Sequence, residues 1–175
     1  IGLPVQSTNI KIIDENGEKI NDKQPGELCV KGPQVMSGYW KYPEDQENPF
    51  TDDGFFKTGD IASISDDGYL TIVDRKKDMI ISSGYNVFPN ELEDYLSTHP
   101  DILEAGVIGI PDKNRGEYIK AFIVKKNKNL IDTEVITYCK EGLTDYKVPK
   151  KVIFIDDLPK TNVGKILRRE LRNIN

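Results

Sequence analysis

The sequence predicts an α+β chain of two units, a small all-β unit followed by a two-layer α+β unit. Three observations lead there. In the first 73 residues, short apolar runs are separated by Asn16-Gly17, Pro25-Gly26, Asp53-Gly54 and Asp67-Gly68. Asn-Gly and Asp-Gly pairs favour tight hairpins, because glycine accepts a positive φ at no steric cost. From about residue 78, apolar stripes at helical spacing alternate with β-type runs, the pattern of helices laid on a sheet. The charge changes at the same place: residues 1–77 carry 9 basic and 14 acidic side chains, a net of −5, and residues 78–175 carry 15 of each.

The elements follow in order. Asn9–Asp14, Glu27–Lys31, Ile61–Ile64 and Tyr69–Val73 read as strands. Pro89 suits the first position of a helix, with Leu92, Tyr95 and Leu96 as its apolar stripe. Ala105–Ile110 reads as a buried strand and Ile119–Val124 as its partner. Ile131, Val135, Cys139 and Leu143, four residues apart, predict a second helix with Asp132 as its N-cap. A strand at Val152–Ile155 precedes a final helix carrying Leu167, Leu171 and Ile174. No internal repeat or low-complexity tract interrupts this order.

Composition limits the function classes. The chain has 175 residues, 37% hydrophobic and 30% charged, enough apolar material for a core. A net charge of −5 gives no general attraction to polyanions, so nucleic acid is not an expected partner. No apolar run approaches the ~18 residues of a membrane span. Cys29 and Cys139 both lie in apolar-patterned segments, which points to free thiols in a reducing compartment. The chain starts Ile1-Gly2-Leu3-Pro4 and reads as a piece of something longer.

Several residues are candidates for chemistry, each with a plainer alternative. Asp60 follows a Thr58-Gly59 turn and precedes a strand. A carboxylate there can accept two hydrogen bonds from a vicinal diol, or it can simply be an acidic turn residue. Ser82–Asn86 is a small-residue loop between a strand and a helix, suited to close approach of a ligand or merely to turning the chain. It lacks the Gly-Lys-Ser/Thr ending of a phosphate-binding loop. Lys165 follows Gly164 and precedes an amphipathic segment. Its point charge can enter a site where negative charge develops, or it can be a surface lysine. Val73–Asp78 contains five charged residues in six, which fits either a solvated turn or a hinge. His99 is the only histidine and is expected at a helix end without a catalytic or metal role. The basic residues of Leu167–Arg172 are expected on a solvated face.

Taken together and in order, four motifs resemble the adenylate-forming enzyme superfamily, which includes acyl-CoA synthetases, firefly luciferases and peptide-synthetase adenylation domains. They are Phe56-Lys57-Thr58-Gly59-Asp60, Gly68 to Asp78, Ser83 to Glu93, and Pro159-Lys160-Thr161-Asn162-Val163-Gly164-Lys165. Within the superfamily, Asp74–Ile80, Tyr85–Glu91 and Val163–Arg172 look most like bacterial long-chain fatty-acid–CoA ligases.

The resemblance implies the acyl-CoA synthetase/luciferase-like fold. Residues 1–73 would be the β-rich end of a large N-terminal domain, 74–77 a hinge, and 78–175 the small mobile C-terminal domain. It implies a two-step reaction: a fatty-acid carboxylate attacks the α-phosphate of ATP, giving an acyl-adenylate and pyrophosphate, and the thiol of CoA then displaces AMP. Asp60 matches the acid that holds the ribose hydroxyls, and Ile72 and Arg75 match positions lining the nucleotide. Lys165 matches the catalytic lysine of adenylation. Lys77 matches the hinge position, where some relatives carry Asp. Gly84 matches the loop lining the pantetheine tunnel for CoA, with Tyr85 beside it. Magnesium is implied with ATP, its ligand expected in a missing N-terminal part together with the phosphate loop and the acyl tunnel. A cytoplasmic enzyme follows, with peripheral membrane contact suggested by the lipid substrate. This chain alone is expected to be inactive. Alternatives are a ligase for short, medium or aromatic acids and, from another class, a non-catalytic module binding nucleic acid or lipid.

Overall fold

Alternation of period two builds the first sheet. A computed structural model describes residues 1–20, 23–43, 45–114 and 116–174, and the chain divides into two units, Ile1–Lys77 and Asp78–Asn175. In the first unit, β1 (Asn9–Ile13), β2 (Gly26–Lys31), β3 (Phe56–Ile64) and β4 (Leu70–Arg75) form an antiparallel sheet in chain order. Ile10 pairs with Val30, Ile12 with Leu28, Ala62 with Ile72 and Ile64 with Leu70. Side chains two apart share a face, so these eight residues make one apolar surface, and Ile12, Leu28, Ala62 and Leu70 are buried in it. At the β3–β4 turn Gly68 takes φ +81° and its N–H reaches Ser65 O at 2.9 Å.

The second unit begins with β5 (Ile80–Ser82) and β6 (Tyr85–Val87), then α1 (Pro89–Ser97), β7 (Ile102–Asp112), β8 (Gly116–Lys125), α2 (Asp132–Gly142), β9 (Lys151–Ile155) and α3 (Arg168–Leu171). The sheet order is β6-β5-β8-β7, with β9 also on β8. One edge of β8 carries β7 along its length; the other is shared by β5, at Ser82↔Gly116, and β9, from Lys120↔Lys151 to Val124↔Ile155. The β8–β9 pair is parallel, and α2 supplies the crossover that parallel neighbours require. The fold is α+β, built on two largely antiparallel sheets with few helices.

Leu92 and Leu96 of α1 and Val135 and Cys139 of α2 are spaced by four and fully buried against Val107, Ala121 and Ile123. The opposite sheet face packs Ile108 and Phe122 on Leu158 and Leu171. Helix α1 starts with Pro89, whose missing N–H costs nothing there, and ends as Thr98 N–H bonds Tyr95 O at 3.1 Å.

Four local expectations are corrected. Thr58-Gly59 is not a turn before a strand but lies, with Asp60, inside β3. Ser82–Asn86 is not a loop leading to a helix: Ser82 pairs with Tyr85, leaving a two-residue hairpin turn at Ser83-Gly84. Ser83 and Gly84 both have positive φ, 54° and 82°, the type I′ geometry that matches strand twist. Asp132 is the first residue of α2 and Ile131 its N-cap; Glu134 Oε2 reaches back to Ile131 N–H at 3.1 Å and supplies the cap from inside the helix. The final helix is a single turn, with Leu167 before it and Ile174 beyond. Among the described residues no helix is long and apolar enough to cross a membrane.

Candidate functional site

In the first unit the site is built around an irregularity in the sheet. Between β2 and β3 the register slips: Glu27 opposes Ile61 and Cys29 opposes Lys57, so Thr58, Gly59 and Asp60 bulge opposite Leu28. Gly59 sits at φ +72°, and Thr58 Oγ1 donates to Leu28 O at 2.8 Å, pinning the bulge. A second slip on β4 passes Val73 between the pairs Ile61↔Asp74 and Ala62↔Ile72. Bulges redirect side chains, and this pair leaves Asp60 opposite Arg75, whose Nη1 donates to Asp60 Oδ1 at 2.5 Å. Asp60 keeps a partly open carboxylate, 28% exposed, and Arg75 is 53% exposed. Ile72 is half-buried two pairs along the same strand, packed on the apolar face.

The backbone under Arg75 is held firmly. Asp74 is buried and its Oδ1 accepts Arg75 N–H at 2.7 Å. Lys76 Nζ donates to the buried Glu27 carboxylate at 2.8 Å, which raises the lysine's pKa above its ordinary value. Gly59 and Arg75 border a groove of about 510 Å³, lined also by Tyr39, Phe56, Lys57 and Lys76. A larger hollow, about 900 Å³, lies among Ile12, Lys19, Ile20 and Ile64 on the same unit; its lining includes neither Asp60 nor Arg75. Lys77 lies in a 3-10 turn, Lys76–Asp78, and the division between the units falls within that turn.

In the second unit the candidates sit on two hairpins. Gly84 forms the tip of the β5–β6 turn, and a Cβ placed there meets nothing within 4 Å. Tyr85 stacks on Tyr146 with ring centroids 4.4 Å apart. Lys165 lies on the second hairpin, closed by the bridge Lys160↔Ile166. Thr161 N–H bonds Lys165 O at 2.8 Å, Lys165 N–H bonds Thr161 Oγ1 at 3.1 Å, and Leu167 N–H bonds Pro159 O at 2.8 Å. These bonds fix the Lys165 backbone while the side chain stays exposed. Lys160, on the other leg, donates to both Glu104 oxygens at 2.6 and 2.7 Å, which raises its pKa.

Arg169 and Arg172 are exposed, as expected of a solvated basic face, but Arg168 is not. Its side chain is 12% exposed and its Nε and Nη2 reach Glu93 at 3.1 and 2.7 Å. Nη2 also donates to Asn90 Oδ1 at 2.6 Å, and Nη1 lies 3.5 Å from Asp78 Oδ2. The sequence signal is thin, one of three arginines in Leu167–Arg172; its acidic partners lie 75 and 90 positions upstream. His99 accepts Asp101 N–H at Nδ1, 3.1 Å, and meets Tyr138 edge-on at 4.7 Å, a packing role.

The described residues contain no group of three or more His, Cys, Asp or Glu able to hold a metal ion.

The model for the AMP-binding enzyme C-terminal domain matches residues 91–165, and that for AMP-binding enzymes matches residues 1–40. Long-chain-fatty-acid–CoA ligase from Escherichia coli O6:H1 is 53% identical over 173 residues, 99% of this chain. The chain belongs to the AMP-binding enzyme family. The Bacillus subtilis long-chain-fatty-acid–CoA ligase is 47% identical over 98% of the chain. The chain spans about 31% of the length of both relatives. Among solved structures, ATP-bound MatB from Rhodopseudomonas palustris is similar over 99% of this chain and 35% of its own, with TM-score 0.91 and 37% identity. The o-succinylbenzoate CoA synthetase MenE of Bacillus subtilis, in complex with its acyl-adenylate intermediate, gives TM-score 0.83 and 38% identity over 98% of this chain and 35% of its own.

Proposed function

We propose that this chain is the C-terminal part of an AMP-forming long-chain fatty-acid–CoA ligase and carries groups for both half-reactions. The observation that carries the reading is the 53% identity to a long-chain-fatty-acid–CoA ligase over 99% of the chain.

In the first half-reaction the fatty-acid carboxylate attacks the α-phosphate of ATP in line, and pyrophosphate leaves. Asp60, whose side chain is partly exposed, accepts hydrogen bonds from the ribose diol, and Arg75 holds the carboxylate in place and flanks ribose or phosphate. Ile72 offers an apolar wall to the nucleotide. Lys165 brings its ammonium to the carboxylate and phosphate oxygens, where it offsets the negative charge that spreads as the new bond forms. In the second half-reaction the CoA thiol attacks the acyl carbonyl and AMP leaves. Gly84 has no side chain to obstruct the pantetheine arm, and Tyr85 lies beside it. The two steps need different neighbours, and a hinge at Lys77 exchanges them at one cleft. The enzyme acts in the cytoplasm, with peripheral contact to the membrane that holds its lipid substrate.

A second reading, an aromatic-acid ligase, is favoured by 44% identity over 97% of the chain to a rice protein described as 4-coumarate–CoA ligase-like 4. A panel of fatty and aromatic acids offered to the full-length enzyme, scored by AMP release, decides between them. Fastest release with long-chain acids supports the first reading; fastest release with cinnamate-type acids supports the second.

A further inference from the structure

Arg168 takes no part in the chemistry proposed above, yet it is the most heavily partnered side chain near Lys165. We infer that Arg168, clamped by Glu93 and Asn90, is a positioning residue that holds the Lys165 hairpin in place for adenylation. The inference rests on the adenylation role proposed for Lys165.

Apolar contacts hold the hairpin only at its base, through buried Leu158 before the incoming leg and Ile166 on the outgoing one. Its tip is exposed, Val163 at 80%, so no apolar cover locates the turn. Its position is set by its two legs. The incoming leg is tied by Lys160 to Glu104 on β7. The outgoing leg passes through half-buried Ile166 to Arg168, three residues beyond Lys165. There the guanidinium makes a two-point fork with Glu93 and bonds Asn90, both on α1. Glu93 is itself anchored, because its Oε1 also accepts Val107 N–H of β7 at 2.8 Å. The chain of contacts therefore runs from the sheet, through α1, to the lysine loop.

The geometry needs arginine. A planar fork can meet Glu93 at two points while its third nitrogen, Nη1, faces Asp78, whereas a lysine offers one compact charge. Asp78 follows the proposed hinge residue directly. Helix α1 also continues from the strand that leaves the Gly84 turn. The clamp thereby joins the hinge exit, the helix behind the CoA-side turn and the adenylation lysine into one scaffold. Misplacing a reacting group by ~1 Å costs about 100-fold in rate, so a loosened clamp registers in kcat even with Lys165 present.

The test pairs a structural readout with a kinetic one. In this chain, amide hydrogen exchange is measured for Arg168→Lys and Glu93→Gln, chosen because they keep side-chain bulk if Arg168→Ala fails to fold. Faster exchange at residues 160–166 is expected in both, with β8 unchanged and, in Arg168→Lys, β7 unchanged as well; in Glu93→Gln the Val107 amide that Glu93 holds is left out of the comparison. In the full-length enzyme the same variants are expected to lose about 10- to 100-fold in kcat for acyl-adenylate formation. KM for ATP, and thioester formation from supplied acyl-adenylate, should stay within a few-fold. Unchanged exchange, or equal loss in both half-reactions, overturns the clamp. If Lys165→Ala leaves adenylation intact while exchange at 160–166 still rises in the clamp variants, the role of Lys165 fails instead.

Discussion

Arg75 Nη1 and Asp60 Oδ1 meet at 2.5 Å across β3 and β4, at a point where both strands are out of regular register. The slips explain why an acid can stand partly open to a ligand on an otherwise regular sheet. Asp60→Asn keeps the shape and removes the charge. A hydrogen bond to a charged group is worth about 1.5–3 kcal/mol, so KM for ATP in the full-length enzyme should rise about 10- to 100-fold. Steady-state pyrophosphate release measures it; an unchanged KM removes Asp60 from the ribose.

Both thiols should be silent in the folded protein. Burial, with Glu27 nearby, pushes Cys29 up to about 11, and burial pushes Cys139 to about 11. The thiolate is the reactive form, so at pH 8 a thiol reagent should label neither residue on the timescale on which it labels both in denaturant. Rapid native labelling of either would contradict its burial.

Close packing at Gly106 should make it intolerant of even one methyl. A Cβ there would lie 2.9 Å from Leu171 Cδ1 and 3.0 Å from Leu158 Cδ2. Gly106→Ala should therefore destabilise the second unit by about 1–3 kcal/mol, the usual cost of overpacking. Urea unfolding followed by circular dichroism checks the value, and a neutral result means that the 158–171 segment yields freely.

Acid should weaken the first unit in a defined window. Hydrogen bonds from Lys11 and Thr51 hold Asp53 at about 2, below its ordinary 3.8. Because the folded pKa is depressed, this contribution is present above about pH 4 and is lost as pH falls through 2. The melting temperature of Asp53→Asn should accordingly fall less steeply between pH 4 and 2 than that of the wild type. Parallel curves would show that the contact contributes nothing.

Periodicity made most of the fold legible. Leu92 and Leu96, Val135 and Cys139, and the Asp67-Gly68 turn stand where apolar spacing and glycine chemistry put them. The misreadings share one cause, long-range pairing that local pattern does not encode. Thr58-Gly59 looks like a turn in isolation and becomes a bulge only because Leu28 lies opposite. Ser83-Gly84 could serve a loop or a hairpin, and the pairing of Ser82 with Tyr85 selects the hairpin. Arg168 looks solvated because Glu93 and Asp78 are far away in sequence. The roles proposed for Asp60, Lys165 and Gly84 rest on motif order, not on any property of the single residues.

The most direct measurement separates the half-reactions in the full-length enzyme carrying Lys165→Ala. Losing a positioned charge at a transition state costs about 10²–10³ in rate. Acyl-adenylate formation from fatty acid and ATP should fall by at least that much, while CoA thioester formation from supplied acyl-adenylate stays within a few-fold of wild type. Equal loss in the two steps, or undiminished adenylation, would contradict the account.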